Sequence, residues 1–350
     1  MLAPDLTLAA ALRDSKSTDD RFRYQAAENL ARALLFELRQ PGPRWRAAAE
    51  HPQGEAVLEA LRGLLSAHEP AVLRGAAAVG LSMLGEAAVL ELTTPWLRSA
   101  DGGDAGKDDE DAAYLRESAI MAAARLHRAA TEADTAPELR HRIEALVEDA
   151  LRAEPPDLRY QAAQALVELG GSRAEAPLAR ALREEEHPAV REGMVEALSL
   201  LDPPGPAACE VLEELLRGPE GVEGIGFEAA MTLAAARRSS ARSRLLAALA
   251  VRHQRDRALE ALAALGRTAP APTTEQVEVV VRLGERLWLP GVTRVRAAYA
   301  LARMVPAGDG DNPGVLRLLR LRWHPRPAVR EAVRDAFTNL EQLAARESGG

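Results

Sequence analysis

Leu158-Arg159-Tyr160-Gln161-Ala162-Ala163-Gln164-Ala165-Leu166 is the stretch that decides the fold. It reads as a short amphipathic helix opening just after Pro155, Pro156 and Asp157, because its apolar residues recur at helical spacing. The chain writes it repeatedly. Near the N-terminus it is Phe22-Arg23-Tyr24-Gln25-Ala26-Ala27-Glu28-Asn29-Leu30, and near the C-terminus Val329-Arg330-Glu331-Ala332-Val333-Arg334-Asp335-Ala336-Phe337. Between them lie copies built on Arg74, Arg116, Arg191 and Arg294, and weaker ones starting at Gly226 and Arg255. From Arg23 to Arg330 there are eight steps over 307 residues, about 38 each. That falls inside the ~33 to 47 range of two-helix repeats.

At 350 residues the length alone suggests two domains, but a fixed-period repeat overrides it, since each unit packs mainly on its neighbours. The expectation is one array over residues 1–346, acidic over 1–225 and basic over 226–346, with 347–350 as a tail. Apolar residues make up 47 % and aromatics only 3 %, a composition of small helix formers suited to close helix packing. Of 44 basic residues two are lysines, Lys16 and Lys107, and the arginine, alanine, glycine and proline richness reads mostly as the codon bias of a GC-rich genome. The single cysteine, Cys209, excludes an intrachain disulfide framework and suits a reducing compartment. Neither a secretory signal nor a run of about 18 uncharged apolar residues is visible. A cytoplasmic protein with no membrane partner is expected. The net charge of −8 is unevenly spread: from Gly226 onward 20 arginines face 12 acidic residues, a net of +8, and the first 225 residues carry 24 basic and 40 acidic groups, a net of −16.

Helical stretches follow in pairs: a first helix, a turn often holding proline, then the repeated second helix. The quoted copy is predicted to end at Gly170-Gly171, before a separate helix from Arg173 to Glu184. About nine such pairs fit the chain. A lone pair cannot bury both its apolar faces, whereas stacking covers them.

Each second helix reads (Asp/His-Pro)-x-x-Val/Leu-Arg-x-x-Ala-Ala-x-Ala-Leu, usually with glycine soon after. This pattern resembles the HEAT repeat, in the short bacterial form shared with phycobilisome-lyase-type proteins, over nearly the whole chain. The resemblance implies an all-α fold, a right-handed α-solenoid with the second helices lining its concave face. It also implies a hydrogen-bonded ladder between an Asp near the inter-helix turn and the second-helix arginine. The ladder residues would be Arg23, Arg74, Arg116, Asp157, Arg159, Arg191, Arg294 and Arg330, interrupted where His187 and His324 stand in place of the Asp.

Catalytic and ligand motifs fail on context. Gly224-Ile225-Gly226-Phe227-Glu228-Ala229 spells G-x-G-x-x-A, but a helix and not a strand precedes it. The acidic loops 101–111 and 309–312 lack calcium-ligand spacing, and loop 40–54 is an insertion. The seven histidines form no metal-spaced pair, Cys209 sits on an apolar helix face, and no nucleophile motif or P-loop occurs. No cofactor, no metal and no enzymatic activity are expected.

The arginines are the signal that remains: Arg237, Arg238, Arg242, Arg244, Arg252, Arg255 and Arg257, continued by Arg282 to Arg334. A scaffold or adaptor follows, presenting its inner face to protein partners, with an acidic segment meeting the basic part. Tyr160, Gln161, Gln164, Arg296, Tyr299, Arg303 and Arg334 are the candidate contact residues, because exposed Tyr and Arg are favoured anchors. The alternative is nucleic-acid binding through the arginine-rich part, since some bacterial HEAT-like solenoids resemble DNA-alkylation glycosylases. Those use groove aromatics, whereas Trp45, Trp96, Trp288 and Trp323 all fall in loops or first helices. Bilin-lyase activity, the other association of this repeat type, would need cofactor-binding residues that do not stand out. Association of acidic with basic ends would make oligomers.

Overall fold

A computed structural model describes residues 5–38, 50–98, 107–132, 137–201, 204–218, 224–305 and 312–348. Among them every regular element is a helix: α1 (Leu8–Asp14), α2 (Asp20–Leu38), α3 (Gly54–Leu64), α4 (Ala71–Met83), α5 (Ala88–Arg98), α6 (Lys107–Glu132), α7 (Pro137–Ala150), α8 (Pro156–Glu184) and α9 (Pro188–Ser199). There follow α10 (Pro206–Arg217), α11 (Ile225–Ala235), a short 3-10 turn, α12 (Arg242–Ala248), α13 (Arg255–Leu265), α14 (Thr274–Glu285), α15 (Gly291–Met304), α16 (Pro313–Leu321) and α17 (Pro327–Ser348). The helices fall into two compact units, Met1–Ala197 and Leu198–Gly350, where the sequence suggests a single array. The division lies inside α9 and ignores the charge step at 225/226.

In the first unit the second helices form a row, α2 on α4, α4 on α6 and α6 on α8, with α3, α5 and α7 each beside its own partner. In the second unit α11, α13, α15 and α17 form the equivalent row, backed by α12, α14 and α16. This is α-solenoid packing, and the repeated residues explain it. Three and seven positions after the anchoring residue stand Ala77 and Leu81, Ala162 and Leu166, Ala229 and Leu233, Ala258 and Leu262, Ala297 and Leu301, all buried. The alanines let helices approach at the short end of ~8–10 Å, and each buried leucine contributes about 2 kcal/mol.

One predicted boundary is absent. Pro156 to Glu184 runs on as a single helical stretch in place of two helices. The expected turn shrinks to Gly170, whose φ of 133° lies outside helical values and is open to glycine because it has no Cβ.

Arginines fasten the turns. Arg159 donates from Nη1 to the Ala153 and Glu154 carbonyls at 2.9 and 2.7 Å. Arg255 reaches Leu249 and Ala250 at 2.8 and 3.4 Å, and Arg330 reaches His324 and Pro325 at 2.9 and 2.8 Å. In each case the acceptors lie six and five residues back, just past the end of the first helix in the turn of the pair, where backbone carbonyls lack a partner in regular structure. Carboxylates then join repeat to repeat. Arg23 Nη1 meets both Glu69 oxygens at 2.7 Å, and buried Arg116 donates to Asp157 at 3.3 Å. Asp157 therefore serves the preceding repeat. Arg159 itself holds Glu185 through Nε and Nη2 at 2.6 and 2.8 Å, a bidentate pair in which the Glu185 side chain is only 4 % exposed. Glu185 also accepts from the His187 N–H at 2.8 Å, so a carboxylate two residues upstream fills the gap expected at His187. Arg74 stacks over the buried Trp96 at 5.1 Å, and Arg191 and Arg294 are half-buried at the same register.

The Arg159 guanidinium, with the His187 N–H adding to it, holds the Glu185 carboxyl below its ordinary range in spite of burial. Its stabilisation is complete above the unfolded glutamate value of about 4.3 and is lost as pH falls through the lower folded value. Glu185→Gln is expected to lower stability at neutral pH by about 2 kcal/mol, and the gap to wild type should close in acid; urea unfolding across pH measures both. A methyl group at Gly314 would run into the Ala302 nitrogen and the Ala298 carbonyl, backbone that cannot yield, whereas nothing lies within 4 Å at exposed Gly63. Gly314→Ala should cost about 3 kcal/mol and Gly63→Ala should gain about 0.5 kcal/mol, read by the same denaturation.

Candidate functional site

Arg296, Tyr299 and Arg303 sit three and four residues apart on α15, a spacing that puts them on one helix face. In the second unit they line a cavity of about 410 Å³ together with Leu259, Glu260, Ala263 and Ala264 of α13. Ala235 and Arg237 from the end of α11, and Leu343 of α17, complete the wall. Arg296 bridges back to α13, Nη1 to Asp256 at 2.6 Å and Nε to Glu260 at 2.9 Å. Arg303 donates from Nε to the Ala263 carbonyl at 3.3 Å. Three guanidinium groups thus meet two carboxylates, Glu260 in the wall and Asp256 beside Arg296. A planar fork of this kind suits carboxylate or phosphate oxygens.

Arg237 belongs to the arginine cluster of the sequence and is not one of its candidate contacts. Among the described residues it is the non-glycine with positive φ, 54°. It stands eleven residues after Gly226, and the register repeats elsewhere: Gly85, Gly170 and Gly266 lie eleven after Arg74, Arg159 and Arg255, with φ of 80°, 133° and 57°. The local bonds fit a left-handed helix cap, since the Arg238 N–H reaches the Leu233 carbonyl at 2.8 Å as that of Glu86 reaches Leu81 at 3.1 Å. An arginine where the repeat places glycine costs on the order of 1 kcal/mol. Aligning the copies on their anchors exposes this exception in the sequence; Glu260 carries no such signal and reads as surface charge.

The other candidates lie elsewhere. Tyr160 is half-buried in the first unit, its ring against Gly193, where any Cβ would strike it. Gln164 donates to the Gly193 carbonyl at 3.1 Å, and Gln161 is half-buried beside them. Tyr160 and Gln164 therefore serve the seam between α8 and α9. Arg334 is exposed on α17 and does not line the cavity. Within the arginine cluster, buried Arg242 ties the Thr268 and Pro270 carbonyls at 3.0 and 2.7 Å, and its burial lowers its pKa. Arg257 holds both Glu228 oxygens at 2.8 Å, Arg244 reaches the Gly218 carbonyl at 3.4 Å, and Arg237 and Arg252 are exposed.

Among the described residues no group of three or more His, Cys, Asp or Glu is placed to hold a metal ion. Gly224, at φ 68°, opens α11, and no strand is present among these residues to complete a dinucleotide site. Cys209 is buried with its Sγ 3.8 Å from the Pro204 carbonyl. Most of loop 40–54, with Trp45, and parts of loops 101–111 and 309–312 lie outside the described residues.

The family model for HEAT repeats matches residues 143–224, which hold the Arg159 and Arg191 copies. The chain carries HEAT repeats. Similar solved structures include a Kap121p mutant (13 % identity, 93 % of this chain, 40 % of that one, TM-score 0.45) and the karyopherin Kap121p bound to the SUMO protease Ulp1p (12 %, 90 %, 46 %, TM-score 0.44). A third is Kap95p with RanGDP (15 %, 93 %, 42 %, TM-score 0.37). The HEAT-repeat chain spans less than half the length of each. No curated protein matches it.

Proposed function

We propose that this HEAT-repeat chain is a non-enzymatic cytoplasmic scaffold or adaptor that holds an acidic segment of a protein partner against the second helices of its C-terminal unit. The observation that carries the reading is the cavity in which Arg237, Arg296, Tyr299 and Arg303 converge. Arg237 supports it independently, because a strained backbone residue kept in place of the repeat's glycine points to use of its side chain. A partner carboxylate entering there would displace water from guanidinium forks already positioned by Asp256, Glu260 and the Ala263 carbonyl, which lowers the ordering cost of binding.

Replacing Arg237 separates site from fold. Arg237→Gly should raise stability by about 1 kcal/mol by relieving the positive φ, and it should weaken partner binding about tenfold. Affinity capture from the native cytosol followed by mass spectrometry identifies the partner; isothermal titration with wild type, Arg237→Gly and Arg296→Glu/Arg303→Glu then reads the loss. Retention of every partner by both variants would remove the cavity from the interface. Fluorescence anisotropy with duplex DNA at low salt tests the nucleic-acid alternative, and tight binding lost in the same variants would transfer the site to that class.

A further inference from the structure

Three large apolar side chains stand further into solvent than any others among the described residues: Leu287 at 80 %, Trp288 at 70 % and Trp323 at 82 %. All three lie in turns joining the two helices of a pair, Leu287 and Trp288 between α14 and α15, Trp323 between α16 and α17. The two turns are neighbours, since a methyl at Gly291 would meet the His324 ring at 3.4 Å and strike Val329. Each carries the same pairing, with Arg286 over the Trp288 ring and Arg322 over the Trp323 ring, both at 5.7 Å. Arg326 is exposed in the second turn, and Leu319, four residues before Trp323, is 44 % exposed. Neither turn contains a carboxylate. Glu285 at the end of α14 is engaged by Arg317 at 2.7 Å, and Glu331 is exposed one turn into α17.

Side chains this exposed have no walls around them on their own chain, so the partner must supply the apolar medium that receives them. Indole rings settle at the boundary between lipid headgroups and hydrocarbon. Guanidinium groups beside them meet lipid phosphates, and a basic surface is drawn to anionic leaflets. A repeated Trp–Arg pairing on adjacent turns fits a flat, continuous partner better than one shaped pocket. We propose that the α14–α15 and α16–α17 turns dock reversibly on an anionic lipid bilayer, inserting Leu287, Trp288 and Trp323 into the headgroup layer. No helix among the described residues is long and apolar enough to cross a membrane, and docking on one leaflet needs no spanning helix.

The full chain is sedimented with vesicles of phosphatidylglycerol mixed with phosphatidylcholine, and with phosphatidylcholine alone. Binding is expected only with the anionic vesicles, weakened by salt, with a blue shift of tryptophan emission. Trp288→Ala/Trp323→Ala and Arg286→Gln/Arg322→Gln/Arg326→Gln should each reduce it about tenfold with unchanged thermal unfolding. Arg237→Gly should bind vesicles like wild type, which keeps this edge distinct from the cavity. No sedimentation with anionic vesicles at low salt overturns the proposal. So does sedimentation that the tryptophan variant leaves intact, which would assign it to general charge, and so does a protein partner lost with the tryptophans in the absence of vesicle binding.

Discussion

A guanidinium group clamped over the turn within a helix pair is the interaction on which the architecture depends. Two antiparallel helices meeting at a short turn leave carbonyls without donors, and burying them unpaired would be costly. Arg159 answers both halves of that problem, with Nη1 on two turn carbonyls and Nε and Nη2 on Glu185 of the following repeat. A lysine ammonium lacks the planar fork needed to serve two directions at once. The scarcity of lysine therefore has a physical correlate besides genome composition: the clamp positions Arg159, Arg255 and Arg330 ask for a fork, and so do Arg257 and Arg296 on the row of second helices.

The same side chain is both mortar and candidate contact, and only partners on the structure tell the two uses apart. Arg242 and Arg255 are buried against carbonyls, Arg257 is neutralised by Glu228, and Arg296 is oriented by Asp256 and Glu260 with part of its fork still facing a cavity. The basic surplus after Gly226 is thereby partly spent on holding the repeats together. What it leaves at the surface includes the cavity arginines and Arg286, Arg322 and Arg326 at the turn edge, beside exposed Arg252 and Arg334 elsewhere.

Much of the fold was legible in residues 158–166, because helical spacing, small residues at fixed positions and a recurring arginine all point to one packing solution. Boundaries were less so: Gly170-Gly171 reads as a stop, yet one glycine absorbs the turn and helical bonding resumes. At His187 the ladder reads as interrupted when register is taken from residue type at one position, whereas Glu185, two residues upstream, is the carboxylate that Arg159 holds. Tyr160 looked like a surface anchor, since nothing local in the chain says that Gly193 of the next second helix lies under its ring. Arg296, Tyr299 and Arg303 were readable as one helix face. That Arg237, Glu260 and Leu343 close around them depends on contacts between repeats, which the pattern of a single repeat does not encode.

Seams in these rows are made of like surfaces: small buried residues recur on successive second helices, and in several seams an arginine of one repeat meets a carboxylate of its neighbour. Excising or duplicating one whole pair would join surfaces that already match, leaving every remaining seam with an equivalent neighbour. The number of pairs is in that sense adjustable by evolution, whereas a shift of a few residues inside a pair would move Arg159 or Gly314 out of register and is forbidden. A chain built this way can lengthen or shorten its binding surface without redesigning its interior.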